Sequence, residues 1–203
     1  MRLSDEATYL KDLFWDVLYD PGVRGSPFRE QILDAIRIAG ENSYMLAGPA
    51  APDTVYAITS SKVKDVINQQ LLSKCVRYPD YNTIDTAYIT VTYKDMKELL
   101  DIWWRGFWTY KLEYEVEKWD CDDYAALFFI LSKLVWRGLA VGEVWWKSAV
   151  SAISHYQNIV ICREMDKYKL YFIDSRLGTI SDEPVVALIP YDLSIIEVVE
   201  IKL

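Results

Sequence analysis

The chain has 203 residues, of which 52% are hydrophobic and 26% charged. This balance is typical of a packed globular protein and excludes a wholly disordered or collagen-like chain. Asp and Glu total 30 against 22 Lys and Arg, so the excess negative charge opposes contact with phosphate backbones, and we expect no nucleic-acid partner.

The sequence also argues against a membrane partner and a disulfide framework. No apolar stretch approaches the roughly 18 residues of a membrane span, and the N-terminus lacks the apolar run of a signal peptide. The three cysteines, Cys75, Cys121 and Cys162, are sparse and odd in number, which indicates no disulfide framework. We therefore expect a cytoplasmic protein.

Residues 1–77 are predicted to form a helical N-terminal extension. Apolar residues recur at helical spacing over residues 7–18, a second helix is predicted from 26 to 40, and a third from about 60 to 73. Because isolated helices are marginal in water, we expect these helices to bury their apolar faces against the rest of the chain.

Residues 78–203 are predicted to form an α+β core, since the composition changes at a turn-rich link near Tyr78. A β-branched alternation over residues 87–92 precedes a helix around Met96–Trp104 and another that begins near Cys121. Short, β-rich segments separated by turns then follow at 141–146, 155–163, 168–174, 185–189 and 195–201. Helices that precede an antiparallel sheet indicate the α+β class.

The segment Asp120–Ala125 places a thiol at a predicted helix start. Asp120 is a suitable N-cap, so Cys121 would lie in the first turn, where backbone N–H groups favour a thiolate and can receive an oxyanion. An equally consistent interpretation is that Asp120 and Asp123 form a capping pair and that Cys121 is a small buried residue.

His155 is the only histidine and begins a predicted strand that turns near Met165 and returns to Asp174. A lone histidine on a strand is more often structural than catalytic. If the turn is centred on Met165 and Asp166, however, Asp174 falls opposite Gln157, on the same face as His155. A helix-borne Cys, a strand-borne His and a nearby carboxylate are the parts of an activated nucleophile.

These blocks resemble a known superfamily. The stretches DCDDYA at Cys121, HYQNIV at His155 and YFIDSRLG at Asp174 are similar to those of papain-like and transglutaminase-like cysteine peptidases. Two groups are similar in particular: the bacterial transglutaminase-like cysteine proteinases, and the calcium-dependent papain-like domain of fungal lectins and phage proteins. The resemblance covers about residues 86–180.

The resemblance implies a papain-like core, in which a central helix that bears Cys121 packs on an antiparallel sheet. It implies a cysteine-dependent hydrolase or acyl transferase, a peptidase or amidase acting on peptide or protein, with viral localisation if the chain is phage-encoded. Cys121 would be the nucleophile and an oxyanion donor through its N–H, His155 the base and Asp174 its orienter.

The chain departs from the papain pattern at the second oxyanion donor. Glu115 stands where papain-type enzymes have a Gln six residues before the Cys, and an ionised carboxylate cannot donate a hydrogen bond. Gln157 and Asn158 are therefore candidate donors to the oxyanion or substrate.

Six acidic residues surround the predicted helix start: Glu113, Glu115, Glu117, Asp120, Asp122 and Asp123. Their field would raise the pKa of the Cys121 thiol unless they face solvent or bind a cation. No cofactor is required, but Asp120, Asp122 and Asp123 are candidate ligands of Ca²⁺, which prefers oxygen. A zinc site from the cysteines and His155 is disfavoured, because Cys162 and His155 fall on opposite faces of one strand.

A non-catalytic protein that keeps the fold is the alternative function. Such a protein, virion-associated or structural, would bind peptide or glycan through exposed aromatic side chains. The candidates are Trp103, Trp104, Trp108, Trp145 and Trp146.

Overall fold

A computed structural model describes Pro52 and residues 54–78, 85–110 and 120–203, with the side chains of 105–110 and Leu134 left aside. The helices predicted at 7–18 and 26–40, the link after Tyr78, the Trp108 side chain and the acidic residues at 113, 115 and 117 lie outside this description. Within it, the protein combines helices with antiparallel sheets, as the α+β prediction requires.

Three α-helices are described: α1 (Ser60–Gln70), α2 (Tyr93–Tyr110) and α3 (Cys121–Val135). Helix α1 begins where the Thr59 hydroxyl accepts a hydrogen bond from the Lys62 N–H at 3.3 Å, an N-cap that satisfies one of the first-turn donors. The predicted helix over 60–73 is shorter in the structure, because its last residues form a 3₁₀ turn, Leu72–Lys74. Of these helices, none is long and apolar enough to cross a lipid bilayer in the part of the chain that the structure describes.

The strands form one five-stranded antiparallel sheet and two small ribbons. The large sheet has the order β6-β5-β4-β3-β9, β1 pairs with β2, and β7 pairs with β8. Their bounds are β1 Tyr56–Thr59, β2 Ala87–Thr90, β3 Val141–Ser148, β4 Ser154–Glu164, β5 Lys167–Asp174, β6 Thr179–Ser181, β7 Val185–Val186, β8 Ile189–Pro190 and β9 Ile196–Lys202.

The register of the β4–β5 hairpin confirms the prediction. Glu164 pairs with Lys167, so the turn is centred on Met165 and Asp166, and Met165 takes the positive φ of 48° that closes it. The strand predicted over 185–189 is wrong, because the chain reverses at Ala187 and Leu188, both at positive φ, and forms the β7–β8 ribbon. The short strand β1 was not predicted.

The two faces of the large sheet are covered by different helices. One face, here the α1 face, packs on α1 through Trp146, Ile159, Ile161, Leu170 and Phe172. The other, the α3 face, packs on α2 and α3 through Val141, Val160, Cys162, Tyr171 and Ile173. Alternation along each strand therefore assigns every site residue to a face.

Residues 54–78 belong to the same packed structure as the sheet. Strand β1 pairs with β2 from Tyr56–Thr90 to Thr59–Ala87, and the Val76 N–H donates to the Ile196 carbonyl at 2.8 Å. The compositional change near Tyr78 therefore does not separate two cores. The prediction that the N-terminal extension packs against the rest of the chain is therefore confirmed for residues 54–77.

We predict that Ile67→Ala destabilises the whole protein by about 2–5 kcal/mol, because Ile67 is fully buried between α1 and the sheet. Urea unfolding followed by circular dichroism and by tryptophan fluorescence should show one common transition at lower urea. Val55→Ala is the control, since Val55 is exposed. Unfolding of α1 in a separate, earlier transition would contradict the single core.

Candidate active site

Helix α3 begins at Cys121, as predicted. Asp120 is extended, with φ −120° and ψ −157°. Its N–H donates to Asp123 Oδ2 at 3.1 Å, which is one half of a capping box. Cys121 therefore lies half-buried in the first turn of a helix whose next turn, at Tyr124 and Ala125, is fully buried.

His155 and Asp174 form a buried pair on the α1 face. Their Nε2 and Oδ2 atoms are 3.3 Å apart, and the two residues are 8% and 3% exposed. The Leu177 N–H donates to Asp174 Oδ1 at 3.0 Å, and Trp146 packs edge-on to the imidazole. The predicted placement of Asp174 diagonal to His155 is confirmed by the strand register.

The pair leaves one imidazole nitrogen for chemistry. A carboxylate at Nε2 favours the tautomer with its proton on that nitrogen. Nδ1 then carries the lone pair, so His155 has an acceptor site available while Asp174 fixes the ring orientation.

Cys121 approaches β4 beside His155. The Tyr156 backbone N–H lies close enough to the Cys121 sulfur to lower the pKa of the thiol. The Asn158 contact with Ala125 places α3 on the face of the sheet opposite His155. Sulfur and ring therefore approach the start of β4 from opposite sides.

The sheet has a gap at this place, which we call the notch. Strand β3 pairs with β4 as far as Ser154, whereas the described pairing of β5 with β4 ends at Asn158–Ile173. Among the described strands, His155 and Tyr156 of β4 therefore pair with β3 only, since β5 ends at Asp174, opposite Gln157.

The electrostatic field at Cys121 opposes ionisation of the thiol. Burial is the main cause of its raised pKa, and the charges of Asp120 and Asp122 raise it further, whereas the Tyr156 and Cys121 backbone groups lower it. The part of the expected acidic field that Asp120 and Asp122 supply is thus present. Burial and these charges raise the pKa of the thiol by more than the N–H groups at the helix start lower it, so Cys121 rests as a thiol.

Asp120 and Asp122 share a proton near neutral pH. A hydrogen bond that the protonated Asp122 carboxyl donates to the Asp120 carboxylate, followed by desolvation and the Asp120 charge, raises the pKa of Asp122 to about 7. Ligand atoms of Asp120, Cys121 and Asp122 lie within 4.8 Å of one another. This group contains a thiol and omits Asp123, which bonds Asp120, so it differs from the oxygen-only set, and Ca²⁺ binding stays a prediction.

Gln157 and Asn158 are tied to other parts of the protein. Gln157 Oε1 accepts from the Trp146 indole at 3.0 Å, and its Nε2 donates to the Val185 carbonyl at 2.7 Å. Asn158 Nδ2 donates to the Ala125 carbonyl at 2.8 Å. Both residues are fully buried, so the geometry does not support the predicted role of donors to substrate.

Two tryptophans of α2 hold the loop that follows Asp174. The Trp103 indole donates to the Ser175 carbonyl at 2.8 Å, and the Trp104 ring lies against Gly178, which has a φ of +65°. Sequence reasoning missed this anchor, although Gly178 four residues after Asp174 was a signal for a constrained turn.

We predict that Gly178→Ala disturbs the His155–Asp174 pair, because the new Cβ would collide with the Trp104 ring and push the loop that holds Asp174. Since His155 is the only histidine, its imidazole signals can be followed by NMR and should shift. Gly138→Ala is the matched control, as Gly138 also has positive φ but open space around it. Equal imidazole spectra in the two variants would contradict the anchor.

We predict that Asp122→Asn makes Cys121 more reactive at pH 7–8. In the parent protein Asp122 ionises as the pH rises through about 7, and the added charge raises the pKa of the thiol. The amide removes that charge, so the pH midpoint of Cys121 alkylation should move down and the rate at pH 7.5 rise by a few-fold, about 3 to 10. Asp166→Asn, which removes a charge at an exposed turn, is the control and should not change the pH midpoint. An unchanged midpoint in Asp122→Asn would refute the influence of Asp122 on the thiol.

A scan against models of known protein families matches no part of the chain, and a search of curated proteins finds no relative either. The resemblance to cysteine peptidases therefore depends on the three sequence blocks.

Proposed function

We propose that the protein is a cysteine-dependent hydrolase or acyl transferase that acts on an amide bond, as a peptidase or amidase does. Cys121 is the nucleophile, His155 the general base and then acid, and Asp174 the residue that orients the imidazole. The observation that carries the proposal is the buried 3.3 Å contact of His155 with Asp174, beside the stretch of β4 that the Cys121 thiol approaches.

The arrangement of elements supports the same roles. The thiol stands at the start of a helix packed on the sheet, the imidazole at the start of a strand, and the carboxylate at the end of the neighbouring strand. This is the order in which a papain-like core presents its three groups. The proposed roles require sulfur and imidazole to meet at the notch, and hydrogen bonds between catalytic groups often shorten only when substrate binds.

The chemistry follows from the two imidazole nitrogens. The Cys121 thiol transfers its proton to His155 Nδ1 as the sulfur attacks the carbonyl carbon, and the N–H groups at the start of α3 stabilise the oxyanion. The C–N bond then breaks, the amine leaves with the proton from Nδ1, and a thioester remains on Cys121. Water, or an amine in acyl transfer, gives its proton to Nδ1, attacks the thioester and regenerates the thiol.

The raised pKa of Cys121 favours this concerted role of His155 over a preformed thiolate. At neutral pH the thiol keeps its proton, so attack requires a base that accepts the proton during the reaction. Asp174 is placed to stabilise the imidazolium formed in that step, since its carboxyl group is buried and in contact with Nε2.

We predict that iodoacetamide or a peptidyl electrophile alkylates Cys121 at least about tenfold faster than Cys75 or Cys162, since a positioned base typically contributes 10²–10⁴-fold. Burial raises the pKa of Cys75 to about 12 and raises that of Cys162 further. His155→Ala should remove most of the difference, as measured by mass spectrometry of the labelled peptides. Equal, slow labelling of all three thiols in the parent protein would refute the proposal.

The alternative is a non-catalytic binding protein, and two exposed aromatic side chains favour it. Trp104 is 38% and Trp145 40% exposed, whereas Trp146 is fully buried and Trp103 bonds Ser175. Exposed tryptophans can serve as stacking surfaces for peptide or glycan. Cys121→Ser separates the two functions, because it abolishes an acyl transfer but leaves binding intact.

A further inference from the structure

We propose that Asn158 is a positioning residue, which fixes helix α3 along β4 and so keeps the Cys121 sulfur at the level of His155. This inference rests on the proposed function and assigns to it a residue that touches no substrate. Asn158 is 0% exposed and lies in the middle of the sheet.

The side chain of Asn158 connects three elements. Its Nδ2 donates to the Ala125 carbonyl of α3 at 2.8 Å and to the Gly142 carbonyl of β3 at 3.3 Å, while its own backbone belongs to β4. Both amide hydrogens are thus used. Since a carbonyl has two lone pairs, Ala125 accepts this bond in addition to its helical partner.

Each catalytic group is a short path away from Asn158. Ala125 lies about one helical turn beyond Cys121, His155 lies three residues earlier on β4, and the strand partner of Asn158 is Ile173, which precedes Asp174. A hydrogen bond at this point therefore relates the positions of all three groups.

The apolar contacts of α3 cannot fix the helix with the same precision. Phe128 belongs to the same apolar cluster as Val141, Val160 and Ile173, but apolar contacts are non-directional and tolerate small displacements along the helix axis. A hydrogen bond to one backbone carbonyl is directional and weakens steeply when its angle or length changes. The bond to Ala125 therefore selects one axial position of α3.

The amide has a feature that packing alone does not account for. Asn158 Oδ1 is buried and has no hydrogen-bond partner among the described residues, and an unpaired buried oxygen destabilises the folded state. A leucine, which has the same branching but no polar atoms, would avoid that penalty. The presence of an amide here is consistent with a requirement for its two donors.

The test compares Asn158→Leu with Ser132→Ala. Ser132 is also buried, lies on the same helix and donates to a carbonyl, that of Phe129 at 2.9 Å, so its loss weakens α3 away from the site. We expect Asn158→Leu to slow alkylation of Cys121 about 10–100-fold and to shift the midpoint of its pH–rate curve, because small misplacements of reacting groups cost that much. Ser132→Ala should lower the melting temperature without moving the curve.

The outcomes separate the two proposals. If Cys121 of the parent protein is alkylated as slowly as Cys75, the proposed function fails and the role of Asn158 with it. If Cys121 is fast in the parent and equally fast, with the same pH midpoint, in Asn158→Leu, only the positioning role is overturned. Should the leucine variant not fold, Asn158→Ser, whose hydroxyl is too short to reach Ala125, is judged by the same two measurements.

Discussion

The pairing of β4 between β3 and β5 is the constraint on which the rest of the candidate site depends. Both faces of this part of the sheet are buried, one under α1 and the other under α2 and α3, so a one-residue slip would exchange the two apolar sets. The register therefore fixes His155 beside Asp174 and directs Asn158 at α3. The positions of His155, Asp174 and Asn158 are therefore set by the backbone pairing of the strands and not by contacts among these side chains.

The charges near Cys121 act against the usual benefit of a helix start. The positive end of α3 favours a thiolate, but burial and the Asp120 and Asp122 carboxylates raise the pKa of the thiol. Near neutral pH the proton held between Asp122 and Asp120 removes part of the negative charge beside the thiol. This charge returns as Asp122 ionises at higher pH. The proposed activity would thus depend on a proton acceptor, and His155 is the histidine available to provide it.

Local patterns in the sequence predicted the parts of the site that local physics determines. The alternation after His155 and the turn at Met165–Asp166 were sufficient to place Asp174, and the Asp120 cap was sufficient to start α3 at Cys121. The roles of Gln157 and Asn158 were not accessible in this way. Their partners, such as Ala125, are distant in sequence, and the choice between substrate and backbone as acceptor is made only by tertiary packing.

The proposed function sets a geometric condition on a substrate. The imidazole belongs to the α1 face and α3 to the opposite face, so a carbonyl group that met both the sulfur and Nδ1 would have to lie across the end of β5 and not flat on either face. The loop that bounds this end carries Asp174 and is held by Trp103 and Trp104. The Trp104 ring of α2, which lies against Gly178 and is 38% exposed, would under the proposed function be placed to contact the part of a substrate beyond the scissile bond.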